Sequence, residues 1–286
     1  MSMNLILQGL HVERAAIDRV AALADATRII TMETGTATQA FRCEGVACTS
    51  AVRAVVDAAC QAAQLDGSFV EAGTRLTDFK LLVMDMDSTL ITIECIDEIA
   101  DMQGLKSEVA AITEAAMRGE LAFRDSLTRR VALLKGLDAS ALQRVYDERL
   151  QLSQGAETLL VAVRAAGLKT VLVSGGFTFF TDKLQQRLGL DVTLANRLEI
   201  NHGKLTGKLV GEIVDAEEKK RTVERESAAL GCKPGAAIVM GDGANDLQMM
   251  AVAGLSVAFR AKPVVRAQAT VALNVVGLDG VLNLFA

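Results

Sequence analysis

The chain has 286 residues, 51% of them hydrophobic, a net charge of −5 and basic residues that are scattered rather than blocked. That is enough apolar material for roughly two domains, and it offers no basic face for nucleic acid or an anionic membrane. No apolar run is long enough to span a bilayer and the first residues carry no leader pattern, so the expectation is a cytoplasmic protein with a small-molecule ligand and no nucleic-acid or membrane partner.

In chain order, residues 1–72 read as strand (4–10), helix (13–25), two strands around the turn-like TGTAT, helix (50–65) and strand (68–71). This is the split βαβ order of a small α+β, ferredoxin-like module. Residues 72–78, AGTRLTD, carry glycine and polar side chains between apolar segments and read as a linker. From residue 79 to 286 the apolar runs KLLVMD, KTVLVS, AAIVMGD and LSVAF alternate with amphipathic segments that end in Gly167, Gly189 and Gly231. Such runs predict buried parallel strands in a doubly wound α/β sheet. A long helical insertion, about 93–150, separates the first two of these strands and reads as a cap over a site, with Asp138 as the N-cap of one of its helices.

The five cysteines are odd in number, form no C-x-x-C pair and have only His11 and His202 for company. They read as reduced, packed thiols rather than a zinc cluster. Cys95 lies close to an acidic pair, but no histidine stands nearby to activate it.

The chemistry concentrates at the ends of the strands. In KLLVMDMDSTL, Asp85 and Asp87 are two apart and emerge on one face, followed by Ser88 and Thr89. Two carboxylates so placed repel one another unless a cation or a proton offsets them. The later run ends in GDGAND and adds Asp242 and Asp246. Asp85, Asp87 and Asp242 offer the oxygen ligands that a hard cation such as Mg²⁺ prefers. Asp85 and Asp87 also suit a nucleophile and its acid/base partner in phosphoryl transfer. Phosphate needs donors, which the Ser174 hydroxyl, the backbone around Gly175 and the Lys219 ammonium provide. Each element alone is weak, since a lone D-x-D is more often a solvated turn and an S-G-G more often a plain loop. Together, each at a strand end or a helix start, they point to one anion-handling site.

DMDST, SGG, the lysine and GDGAND resemble the four motifs of the haloacid dehalogenase superfamily, in its phosphatase branch, over residues 79–286. The longer string of IECIDEIA, AMRGEL, F-x-x-SL-x-x-RV, SGGFTFF and IVDAEEK is similar to the members that hydrolyse L-phosphoserine in the last step of serine biosynthesis. The resemblance implies Asp85 as nucleophile, Asp87 as general acid/base, and Mg²⁺ on the side chains of Asp85 and Asp242 with the main-chain carbonyl of Asp87. It implies Ser174, Gly175 and Lys219 as phosphate ligands, Asn245 beside them, and Glu94 and Arg130 at the amino-acid end of the substrate, in a pocket walled by Met117 and Phe123. The amino-terminal module resembles the ACT type, without ligand residues to assign. A homodimer is the one protein partner expected.

Two other readings compete. A phosphotransferase of the same fold passes the phosphoryl group to a second alcohol, and only its products differ. A regulatory amino-acid-binding protein with an inactive phosphatase domain is opposed by the complete set Asp85, Asp87, Lys219 and Asp242. A dehalogenase does not need the second aspartate, and an ion-pumping ATPase has lysine where Met86 stands and requires membrane helices.

Overall fold

The computed structural model describes residues 2–34, 36–117 and 120–285, the Met117 side chain excepted. The amino-terminal part runs β1 (Met3–Gly9), α1 (Arg14–Leu23), β2 (Arg28–Met32), β3 (Gln39–Glu44), α2 (Ser50–Ala62) and β4 (Asp66–Glu71). Its four strands form one antiparallel sheet in the order β2-β3-β1-β4, the ferredoxin-like topology that the sequence pattern predicts. Leu5 and Leu7 of β1 alternate inward onto Ile17, Val20, Val56 and Cys60 of the two helices.

After the connection, which includes a short turn of helix at Leu76–Asp78, β5 (Leu81–Met84) enters a second sheet. Four cap helices follow: α3 (Cys95–Asp101), α4 (Lys106–Met117), α5 (Phe123–Leu133) and α6 (Ser140–Glu148). The N-cap of α6 is Ala139, one residue later than expected, and the Asp138 carboxylate accepts from Ser140 N–H at 2.9 Å. Arg149 ties the end of the cap back to α3 through Glu98 and Asp101. The chain continues as α7 (Ala156–Ala165), β6 (Lys169–Phe177), α8 (Thr178–Leu188), β7 (Val192–Asn201), β8 (Lys204–Val210), α9 (Ala216–Ala229), β9 (Ala237–Gly241), α10 (Leu247–Met250), β10 (Leu255–Phe259), α11 (Pro263–Arg266) and β11 (Val271–Leu273).

Seven strands order β11-β10-β9-β5-β6-β7-β8, parallel except for the β7–β8 hairpin. The inner strands are buried on both faces, and so they read as continuous apolar runs. The hairpin turns at His202-Gly203, both at positive φ, the geometry of a two-residue type I′ loop. It reaches the cap, where Gly136 N–H donates to Leu205 C=O and Leu205 N–H to Leu137 C=O.

The two sheets meet along a face built on Asp66. Its carboxylate accepts from the backbone N–H groups of Asn274, Val275 and Val276 at 2.7, 2.9 and 3.0 Å. Beside it Asn283 donates to Gln8, Arg42 donates to Phe285 C=O, and Ile6 and Val70 join the core that contains Phe79 and Phe285.

Candidate active site

At the carboxyl ends of β5 and β9 the register pairs Met84 with Met240, and Asp85 N–H donates to Met240 C=O. This brings Asp85 and the GDGAND turn side by side, where ligands bind in open α/β sheets. Beyond Asp85 the chain makes one wide turn, closed by Ile91 N–H donating to Met86 C=O, with Ser88 at φ 55°. A non-glycine residue there is strained, and strain of this kind concentrates at functional sites.

Asp85, Asp242 and Asp246 each place a carboxylate oxygen within 4.8 Å of the others. Lys219, in the first turns of α9 and wholly buried, lies 2.9 Å from Asp85 Oδ2 and 2.7 Å from Asp246 Oδ1. The N-cap carboxylate of Asp215 fixes the start of that helix by accepting from Glu217 and Glu218 N–H. Asp246 also accepts from the N–H groups of Asp242 and Gly243, so it organises the turn as well as the lysine. Gly241 permits this, because a Cβ there would collide with the Asp246 carboxylate. Burial would lower the Lys219 pKa, but Asp246 and Asp85 hold it above the ordinary lysine value. Burial, reinforced by Asp246, raises Asp85 well above the usual carboxylate range, and it pushes Asp242 up to about 7. Three oxygen donors with one shared lysine form a set that fits a hard cation.

The Asp87 side chain stands apart from this cluster. Its Oδ1 accepts from Cys95 N–H at 3.1 Å, and burial followed by the charge of Glu94 lifts it to about 7. Gly176 lets this carboxyl group come close, since a Cβ there would stand 2.7 Å from Asp87 Oδ2. Burial, with the charge of Asp87, drives the Cys95 thiol far up, so it packs and does not attack.

Ser174 and Gly175 lie inside β6 rather than in a loop after it, because the strand continues through a bulge to Phe177. The Ser174 hydroxyl accepts from Gly176 N–H at 2.8 Å. Asn196, from the hairpin, braces this segment by donating to Gly175 C=O at 2.7 Å and accepting from Val214 N–H.

These groups surround a cavity of about 170 Å³ lined by Asp85, Asp87, Glu94, Arg130, Ser174, Gly175, Asp242 and Asn245, with Phe123 on the cap side. Among the described residues, Lys219 is the one expected site residue that does not line the cavity; it is buried against Asp85, which does. Glu94 accepts from the Ser88 hydroxyl at 2.7 Å, and burial raises its pKa. Arg130 has its Nε buried without a partner, and burial lowers its pKa against the pull of Asp97 and Glu94. Met117, the other expected wall, has its side chain outside the described residues. Asp246, Asn196 and Lys262, the last also lining the cavity, received no role from the sequence. For Asp246 the signal was its place three residues after Gly243, where its carboxylate closes the turn. A larger cavity, about 710 Å³ between α2, β4 and residues 263–275, contains none of the expected site residues.

The model of haloacid dehalogenase-like hydrolases matches residues 82–251, and that of a domain of unknown function (DUF4072) matches residues 5–56. A phosphoserine phosphatase of Polaromonas sp. is 57% identical over 215 residues, which cover 73% of this chain and 91% of that protein. The unliganded crystal structure of a probable phosphoserine phosphatase from Vibrio cholerae superposes with a TM-score of 0.82 at 36% identity, over 98% of this chain and 85% of the other. A haloacid dehalogenase family hydrolase from Salmonella enterica serovar Typhi matches with a TM-score of 0.89 at 32% identity, over 100% of this chain and 99% of the other. The chain belongs to the haloacid dehalogenase-like hydrolase family, among its phosphoserine phosphatases.

Proposed function

We propose that the chain hydrolyses L-phosphoserine to L-serine and phosphate, as a Mg²⁺-dependent phosphoric monoester hydrolase acting through an aspartyl phosphate on Asp85. The observation that carries this reading is the convergence, in one small cavity, of a lysine-paired aspartate, a second buried carboxyl group, a glycine-lined anion seat and an arginine with an unpartnered buried N–H. Mg²⁺, held by Asp85 and Asp242 with the Asp87 carbonyl, would supply charge neutralisation at the phosphoryl oxygens.

The Asp85 carboxylate attacks phosphorus while the Asp87 carboxyl group gives its proton to the departing serine oxygen, so the P–O bond breaks to a neutral alcohol. Asp87, now a carboxylate, takes a proton from the water that attacks the acyl phosphate. Phosphate leaves, Asp85 is again a carboxylate and Asp87 again an acid. A carboxyl group lifted toward 7 suits both proton transfers near neutrality. Lys219, anchored between Asp85 and Asp246, orients the nucleophile and has a remaining N–H for a phosphate oxygen. Ser174 and the backbone around Gly175 hold the other oxygens, with Asn245 beside them. Arg130 grips the substrate carboxylate and Glu94 the ammonium, which gives preference for an amino-acid ester.

The expected location is cytoplasmic, in keeping with five free thiols. The expected assembly is a homodimer, for which β2 offers an open sheet edge and sedimentation is the test. Phosphate release from a panel of phosphomonoesters, with and without Mg²⁺ and with free serine measured in parallel, tests the activity. A protein that releases phosphate from aryl esters but not from L-phosphoserine would refute the assigned substrate.

A further inference from the structure

Among the described residues lining the 170 Å³ cavity, the cations are Arg130 and Lys262. Lys262 is exposed and has no ion-pair partner within 4 Å among the described residues, yet its backbone is fixed at both ends. Its N–H donates to Asp242 C=O at 3.2 Å, and its C=O accepts from Val265 and Arg266 N–H at 3.0 and 3.1 Å as the N-cap of α11, with Pro263 following. An exposed lysine on a fixed backbone therefore lines the cavity beside Asp242. Its charge reaches Asp242 and Glu94, whose carboxyl groups it pulls downward against burial.

Charge balance gives this lysine a task. The proposed substrate brings a phosphate dianion and a carboxylate, while the charge of the proposed Mg²⁺ would be offset by Asp85 and Asp242, Lys219 has one N–H left beyond its two carboxylates and Arg130 lies near Glu94. We propose that Lys262 is a further substrate-binding residue whose ammonium group meets the phosphate oxygens in the cavity that Ser174 and Gly175 also line. This rests on the phosphomonoester reading but not on serine as the alcohol. Because the contact is made to substrate and transition state alike, it lowers KM and leaves kcat nearly unchanged.

The test compares the full chain with Lys262→Gln and Lys262→Arg, in the presence of Mg²⁺. The measurements are KM and kcat for L-phosphoserine and p-nitrophenyl phosphate, and the binding of inorganic phosphate by calorimetry. A charge-assisted hydrogen bond at a half-open site predicts that Lys262→Gln raises KM for both esters by about five- to tenfold and weakens inorganic phosphate by the same factor. The expected kcat stays within about twofold, and Lys262→Arg recovers most of the loss. Unchanged phosphate binding overturns the proposal, as does a loss confined to L-phosphoserine, which would put the lysine at the amino-acid end. A drop in melting temperature shared by Gln and Arg variants also overturns it, in favour of a structural role. If L-phosphoserine is not turned over at all but Lys262→Gln still weakens inorganic phosphate, the substrate assignment fails and this proposal stands.

Discussion

Two buried aspartates, one in β4 and one directly after β5, are used in opposite ways. Asp66 of the amino-terminal module is 2% exposed and Asp85 of the catalytic sheet 5%, so burial does not distinguish them. Three backbone N–H groups from the segment that follows β11 satisfy Asp66, and it is a joint. Asp85 accepts one adjacent N–H and shares Lys219 with Asp246, while Asp242 stands close by with little compensation. A satisfied buried acid is architecture; a crowd of buried acids with too few donors is a site prepared for a cation and an anion that arrive together.

The largest effect should come from Asp85→Asn, which keeps shape but removes the attacking charge. Turnover of every phosphomonoester should fall by about four orders of magnitude, while the melting temperature holds or rises because a crowded charge is gone. Near wild-type activity in a phosphate-release assay would undo the assignment of the nucleophile. Next in size, Arg130→Ala should cost on the order of 2 to 5 kcal/mol in kcat/KM for L-phosphoserine and far less for an aryl phosphate, which has no carboxylate. Equal losses on both would make Arg130 structural.

The crowding also has a pH signature. Asp87 and Asp242 stand at about 7 in the folded protein, raised mainly by burial, against the ordinary aspartate value of 3.8. Folding thus favours their protonated forms, so the stability they contribute is complete below pH about 4 and lost as pH rises through about 7. Metal-free protein should melt progressively lower across that window. The proposed Mg²⁺ would bind Asp242 in its ionised form and should raise the melting temperature more at pH 8 than at pH 5. A pH-independent response to Mg²⁺ would show that Asp242 does not hold the ion.

Much of this was legible because strand ends and chemistry coincide in the chain. KLLVMD and AAIVMGD are apolar runs that stop at acids, and sheet topology needs only their adjacency to bring Asp85 beside Asp242. The module's order of elements was equally readable from period and turns. What escaped depends on tertiary contact. The β7–β8 hairpin interleaves Asn196, Arg197 and Glu199 with its apolar positions, and its inward face is set by the cap, so it reads poorly as a strand. Asn196 braces Gly175 across 21 positions, and Lys262 is an ordinary exposed lysine until the end of β10 is placed beside Asp242.

The smallest effect on chemistry should come from changing the joint. Asp66→Ala removes the shared acceptor of three N–H groups, of which only that of Val276 is covered from water, and it should cost about 1 to 3 kcal/mol of stability with kcat nearly unchanged, because Asp66 lies outside the 170 Å³ cavity. We expect the amino-terminal module to be a separable domain, with residues 74–286 retaining phosphoserine hydrolysis. The same face sets the terms of that separation. Removing the module exposes the donors of Asn274, Val275 and Val276 to water, which satisfies them, whereas Asp66→Ala leaves the buried Val276 N–H unpaired and those of Asn274 and Val275 within reach of water. The truncated chain also exposes the apolar surface around Phe79 and Phe285, so it should lose more stability than the point variant. Chemical denaturation of all three proteins, with kcat measured on each, decides the matter. A truncated chain that aggregates or loses turnover while Asp66→Ala stays active would make the module part of the catalytic unit rather than a domain docked on it.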